Sequence, residues 1–196
     1  MEPITLTTDR LLLRPFAPGD ADAVHAACQD PDIQRWTVVP SPYGRADAEH
    51  FTRQLSPAGW QDDSMYDFAV VLRDGGALAG ALGINRRTGP GTFEVGFWTA
   101  REHRGLGYTT EAVLCAARWT FTALAGDRLE WRAEAGNRPS RAVALRAGFR
   151  MEGGQRSGLV NKGVRRDTWT GALLPSDLGL PGTDTYLPAG VGRAGP

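Results

Sequence analysis

One stretch leaves this chain little freedom in what it can become. Phe93-Glu94-Val95-Gly96-Phe97-Trp98-Thr99 is rich in aromatic and β-branched residues, which suit a pleated, largely buried strand. From Thr109 to Leu124, Val113, Ala116/Ala117, Thr120/Phe121 and Leu124 recur at helical spacing and line one face. Between strand and helix lies Arg104-Gly105-Leu106-Gly107-Tyr108. Glycine lacks a Cβ, so its backbone turns sharply and approaches a ligand closely. A glycine loop feeding a helix N-terminus presents unpaired N–H groups and the positive end of the helix dipole, a combination that binds phosphate. The bland alternative is a strand–turn–helix connection that uses glycine for steric reasons alone.

Three phosphate loops compete for the stretch. A nucleotide-triphosphate loop needs Gly-x-x-x-x-Gly-Lys-Ser/Thr, and no lysine follows these glycines. A dinucleotide fingerprint needs a third glycine where Thr110 stands, and the alternating strand–helix units of such a domain are absent before the loop. The third fits better. Arg104-Gly105-Leu106-Gly107-Tyr108-Thr109 resembles the Arg/Gln-x-x-Gly-x-Gly/Ala signature of GNAT acetyltransferases, in which the loop cradles the pyrophosphate of acetyl-coenzyme A. Thr109 departs from it, standing where Gly or Ala is usual; a threonine hydroxyl is itself able to donate to phosphate.

The resemblance continues along the chain. Thr8-Asp9-Arg10-Leu11-Leu12-Leu13-Arg14-Pro15, followed by Asp20-Ala21, resembles the opening of the ribosomal-protein N-acetyltransferase branch (RimJ/RimL-like). It reads as a strand ended by Pro15, then a helix with Ala21, Val24 and Ala27/Cys28 on one face. A loop follows through Pro42, and Gly44 to Leu55 reads as a second helix. Asp67–Leu72, Ala77–Ile84 and Thr92–Thr99 form a meander joined by turns at Arg73-Asp74-Gly75-Gly76 and Asn85–Gly91. Asp127–Glu134 continues the sheet. Pro139 and Gly148 bracket a short helix, and Arg166–Leu174 is the last strand. Asn137-x-x-Ser140, with Gly148-Phe149 after it, resembles the family segment beside the pantetheine arm. Many members carry a tyrosine where this chain has Ala144.

The family implies an α+β fold with a central mixed, mostly antiparallel sheet flanked by helices, here over residues 1–174. Residues 175–196 are dense in Pro and Gly without periodicity and read as a flexible tail. With 22 basic and 22 acidic residues in 196, no net charge favours nucleic acid or an anionic membrane. Cys28 and Cys115 lack metal-ligand spacing, and no apolar run reaches the ~20 residues of a spanning helix. Neither a leader nor a metal site is visible, so the expectation is a cytoplasmic enzyme, monomer or homodimer.

By the resemblance, Phe97, Trp98 and Thr99 offer backbone groups to pantetheine and the acetyl carbonyl. Arg104, Gly105, Leu106, Gly107, Tyr108 and Thr109 hold pyrophosphate, and Asn137 and Ser140 contact the arm. Glu94 occupies the place of the family's base or water-holding carboxylate. A lone carboxylate in an apolar strand is costly to bury without partners, so it is either functional or edge-exposed. Ser140 is a candidate relay to the departing thiolate, or a first-turn helix residue satisfying backbone N–H groups. Trp36 and Tyr43 either line the acceptor pocket or pack their loop against the core. The acceptor is a protein α-amino group or a small-molecule amine. The rival class is a GNAT-fold sensor that binds an acyl-coenzyme A without turnover.

Overall fold

The computed structural model describes residues 1–188. Among the described residues, eight strands form one sheet: β1 (Leu6–Thr7), β2 (Leu11–Pro15), β3 (Met65–Leu72), β4 (Leu78–Arg86), β5 (Thr92–Thr99), β6 (Arg128–Glu134), β7 (Arg150–Asn161) and β8 (Val164–Leu173). Their spatial order is β1-β2-β3-β4-β5-β6-β8-β7, with every pair antiparallel except β5/β6. That parallel pair is forced by its connection. The chain leaves β5, climbs back along helix α5 (Tyr108–Ala123), and re-enters the sheet in the same direction.

Strand alternation divides the molecule into two layers. Leu11, Leu13, Tyr66, Phe68, Ile84, Phe93, Val95, Leu129 and Trp131 face α5, whose Val113, Ala116, Ala117 and Phe121 are buried against them. Trp60, Tyr66, Phe68 and Trp119 meet there at ring separations of 5.1–6.0 Å, mostly edge-to-face, the arrangement the ring quadrupoles prefer. On the other face, Ala69, Val71 and Ala81 carry a smaller cluster with Phe16, Val24, Cys28, Ile33 and Ala48. This layer comes from α1 (Ala21–Ala27), α2 (Pro31–Trp36) and α3 (Arg45–His50).

Three elements depart from the sequence reading. Helix α2 lies in what reads as loop; its local signals are an Asp30 cap, whose carboxylate accepts from the N–H of Asp32 and Ile33, and Pro31 at the first helical position. The helix read to Leu55 continues past Pro57 as α4 (Ser56–Gln61), through a wider π turn in which the Ser56 N–H reaches the Phe51 carbonyl. Strand β7 was hidden by Gly153, Gly154 and Gly158 and by side chains mostly exposed, so it shows no alternation.

The change of composition at Pro175 is not an end of packed structure either. Pro175 is buried, Leu178 and Leu180 pack on the core, and the N–H groups of Thr183 and Asp184 donate to Asp127. Of the stretch read as a tail, residues 189–196 lie outside the described residues.

Candidate active site

The site begins where two strands part. β5 and β6 pair only from Thr92–Arg128 to Val95–Trp131. Beyond Val95, β5 keeps its pairing with β4, but among the described residues its other edge has no strand beside it. The N–H of Ala100 donates to Ala79 on the β4 side. By two-residue alternation, Phe97 and Thr99 turn their backbone groups the opposite way, into the gap left by β6.

The glycine loop closes one end of this gap. Gly105 and Gly107 have φ of +77° and +81°, a region that costs other L-residues strain. A Cβ at Gly105 would meet nothing within 4 Å, so the loop's surface there is open. Gly107 caps α5, whose first-turn N–H groups at Tyr108, Thr109 and Thr110 point outward without a helical acceptor.

The loop is held from below by the turn between β1 and β2. Arg10 donates to the Leu106 carbonyl (3.0 Å) and to Glu111 (2.7 Å), and its guanidinium lies 4.6 Å from the Tyr108 ring centre. The Thr8 hydroxyl donates to the other Glu111 oxygen at 2.5 Å. Burial pushes the Glu111 pKa up, but the bonds from Thr8 and Arg10 outweigh it and hold it below the ordinary value. Thr8 and Arg10 of the opening motif are therefore supports of the loop.

Helix α2 spans the mouth of the gap. At its N-terminal end, Arg104 binds Asp30 (2.7 Å) and Asp32 (3.3 Å) and donates to the Thr99 carbonyl. At its C-terminal end, Arg35 makes two bonds to Glu134, at 2.8 and 2.6 Å. The Arg35 bonds keep the nearly buried Glu134 carboxyl below its ordinary pKa. From the β7–β8 turn Lys162 donates to the Gln34 carbonyl, and from the end of β7 Asn161 donates to that of Arg35.

Below α2, the sheet face is polar and sparsely filled. Glu94, Gly96 and Trp98 share it with Asp67, Gly83 and Asn85 from the neighbouring strands. Glu94 is 24% exposed, with Oε2 3.4 Å from Arg87 Nε. Burial raises its pKa, against the pull of Arg87 and Arg132. Next to it, Arg128, Glu130, Arg132, Glu152, Gln155 and Thr170 line a polar recess of about 220 Å³.

Residues 10–150 match the family model described as "Acetyltransferase (GNAT) domain". The chain belongs to the GNAT family of acetyltransferases. It is 26% identical over 171 residues to the "Uncharacterized N-acetyltransferase p20" of Bacillus licheniformis, covering 87% of this chain and 96% of that one. Mycobacterium smegmatis RimJ, solved with a CoA disulfide, superposes at a TM-score of 0.79, with 24% identity and 91% and 92% of the two chains covered. RimL, a ribosomal L7/L12 α-N-protein acetyltransferase solved with coenzyme A, superposes at 0.78, with 17% identity and 87% and 98% covered. These two likenesses concern the fold.

Within this GNAT chain, the residues singled out in the sequence fall into two groups. Glu94, Phe97, Trp98, Thr99, the loop from Arg104 to Thr109, and Asn137 with Ser140 stand on the two strands that part, on the loop, or at the start of α6 (Arg138–Arg146). Asn137 caps that helix, its side-chain oxygen accepting from the Ser140 N–H at 3.2 Å. The Ser140 hydroxyl accepts from the Trp131 indole at 3.0 Å and keeps its own proton to give. Trp36 lies under Arg35 and close to Gly136, at the α6 end of the gap.

Tyr43 does not line the site. It is 6% exposed within the smaller core cluster, and burial drives its hydroxyl pKa upward. Thr109 has a protein partner: its hydroxyl is 2.5 Å from that of Thr99, tying the end of β5 to the start of α5. One of the two hydroxyls donates to the other, which leaves a single proton free for a ligand. Ala144 is fully buried in the core.

Sequence reasoning missed Asp67. It is 8% exposed, its Oδ2 has no partner among the described residues, and burial raises its pKa to about 7. Like Glu94, Asp67 is a lone carboxylate in an apolar strand, beside Phe68–Leu72.

Proposed function

We propose that this protein transfers the acetyl group of acetyl-coenzyme A to an amine, by direct attack while both are bound. The observation that carries the reading is the parting of β5 from β6 beyond Val95, beside an open glycine loop at a helix N-terminus. A pantetheine arm carries amide groups that pair with a free strand edge, and the Phe97 and Thr99 backbones supply one. The outward N–H groups from Gly105 to Thr110 suit the pyrophosphate. Arg104, engaged with Asp30 and Asp32, acts as a strut between loop and α2, so the loop holds phosphate through its backbone.

At the acetyl group, the Thr99 N–H stabilises the developing oxyanion, a contribution of roughly 2.7–4 kcal/mol for a preorganised donor. Ser140, whose proton is free while Trp131 donates to its oxygen, stands on the α6 side as a relay to the thiolate. Glu94 attracts and orients the ammonium on the face beneath α2. The acceptor that best suits this arrangement is a protein N-terminal α-amine. Its pKa of ~7.7–8.0 requires little help at neutral pH, whereas a lysine-type amine at ~10.4 requires much more. The named activity of RimL supports the same class.

A second reading, binding of an acyl-coenzyme A without turnover, draws on the buried Ala144, which offers no phenol to protonate the leaving thiolate. Mass spectrometry of peptides with free N-termini and of small amines, incubated with acetyl-coenzyme A, separates the two. A mass gain of one acetyl group confined to the N-terminal amine is expected. Coenzyme binding with no acetylated product across the panel would favour the second reading.

A further inference from the structure

We propose that Asp67 accepts the proton that the acceptor amine must lose, through water held in a trough floored by Gly83 and Gly96. The inference rests on acetyl transfer as proposed above, and it identifies the group serving the step that decides which amines react.

Asp67, Gly83 and Gly96 stand side by side on β3, β4 and β5, on the face shared with Glu94 and Trp98. The two glycines leave no side chain between Asp67 and the free edge of β5. A Cβ at Gly83 would lie 2.6 Å from Asp67 Oδ1, so the carboxylate occupies the place a side chain would fill. At Gly96 a Cβ would meet nothing within 4 Å, and the residue is exposed. From the strand bearing Gly83 to that bearing Gly96 is about 4.8 Å, a span that one or two hydrogen-bonded waters cross.

The surroundings leave the carboxylate free for this work. No hydrogen bond reaches Oδ2 among the described residues, and Trp60 donates to the backbone carbonyl instead. On β2, Arg14 faces the same side but is held by Asp20 through two bonds of 2.7 Å. On β4 the neighbour is the neutral Asn85, and α4 brings no charged residue. Glu94, Arg87, Glu130 and Arg132 lie across the trough, and burial alone accounts for the raised pKa of Asp67. A base near 7 is matched to an α-ammonium at ~7.7–8.0, and takes a proton from a lysine ammonium at ~10.4 only far uphill.

The step balances as follows. An ammonium N–H bond breaks and its proton passes through water to an Asp67 oxygen. The freed nitrogen lone pair forms the C–N bond to the acetyl carbonyl carbon, and the C–S bond breaks. A second proton from that nitrogen reaches the thiolate, giving the thiol, and Asp67 returns its own proton to solvent.

The test uses a peptide with a free N-terminus and saturating acetyl-coenzyme A, with kcat/KM for the peptide measured from pH 6 to 9. The wild type should bend near pH 7 and then run flat to the amine pKa. Asp67→Asn should lose the bend near pH 7, rise about tenfold per pH unit with the free amine up to the amine pKa of ~7.7–8.0, and approach the wild type above it. Gly83→Ala, which displaces the carboxylate, should lose the bend as well while leaving the coenzyme KM unchanged. Melting temperatures at or above wild type for Asp67→Asn at pH 8 would show that the fold is intact. A wild-type profile in both variants would overturn the role of Asp67 and leave acetyl transfer standing. No acetylation by the wild type itself would overturn the transfer reading, and Asp67 with it.

Discussion

The two faces of the sheet answer different demands. The α5 face is filled by large apolar side chains, with Trp60, Tyr66, Phe68 and Trp119 in mutual contact. The α2 face carries alanine, glycine, ion-paired carboxylates and the lone carboxylate of Asp67. The buried side-chain atoms without a hydrogen bond are Asp67 Oδ2, Glu94 Oε2, Asn161 Oδ1, Arg166 Nε and Thr168 Oγ1, among the described residues. By strand register, all five belong to the α2 side. Buried polar atoms left without hydrogen bonds cost stability, so their segregation to one face marks where stability yields to chemistry. The α5 face supplies the rigid platform on which that is tolerable.

Breaking the packed face should have the largest effect. Trp60→Ala opens a cavity among three aromatic rings and should cost about 3–5 kcal/mol, read as a fall in denaturant midpoint or Tm. A loss below about 1 kcal/mol would mean the rings are not the platform.

On the other face, Arg35→Ala leaves the 8% exposed Glu134 with only Arg166, at 3.8 Å, among the described residues. Because Arg35 is itself largely exposed, the expected loss is about 1–3 kcal/mol at pH 7. The pH dependence fixes the cause. Glu134 has a depressed folded pKa, so its contribution is present above the unfolded carboxylate value and fades as pH falls through the folded one. The gap between wild type and variant should close on acidification, in urea titrations at stepped pH.

Asp67→Asn should act in the opposite direction. The folded pKa, about 7, lies above the ordinary 3.8, so wild-type stability is fullest below that lower value and declines as pH rises through 7. Asparagine cannot ionise and removes the decline. After the cost of an unpaired amide, a net gain of about 1–3 kcal/mol at pH 8 is expected. A variant less stable than wild type at pH 8 would contradict the assignment of a buried, unpartnered carboxylate.

The smallest effect sharpens the boundary between the faces. Thr109→Val removes the hydroxyl pair that ties β5 to α5 and should cost about 0.5–1.5 kcal/mol. If the free proton of that pair serves the pyrophosphate, calorimetry should show a similar loss in coenzyme affinity; unchanged affinity would confine Thr109 to the fold.

The packed face was the legible one. Strong periodicity located β5 and α5 nearly to the residue, because burial on one side writes itself into residue type. The glycine loop was legible for a related reason, since positive φ at Gly105 and Gly107 restricts residue choice. The α2 face was harder to read. Asp30, Arg35 and Lys162 act across separations of 74 to 128 residues, and nothing local marks such partners. Tyr43 shows the converse: an aromatic in a loop looks like a pocket wall until the core is seen to claim it.

The central claim is that acetyl-coenzyme A binds along the free edge of β5 and against the start of α5. Amide hydrogen exchange resolved by residue, with and without acetyl-coenzyme A, tests it most directly. The N–H groups of Phe97, Thr99 and Gly105 through Thr110 should slow markedly on binding, with little change along β1 and β2. Binding without protection at Phe97 and Thr99, or with protection centred on another edge of the sheet, would contradict it.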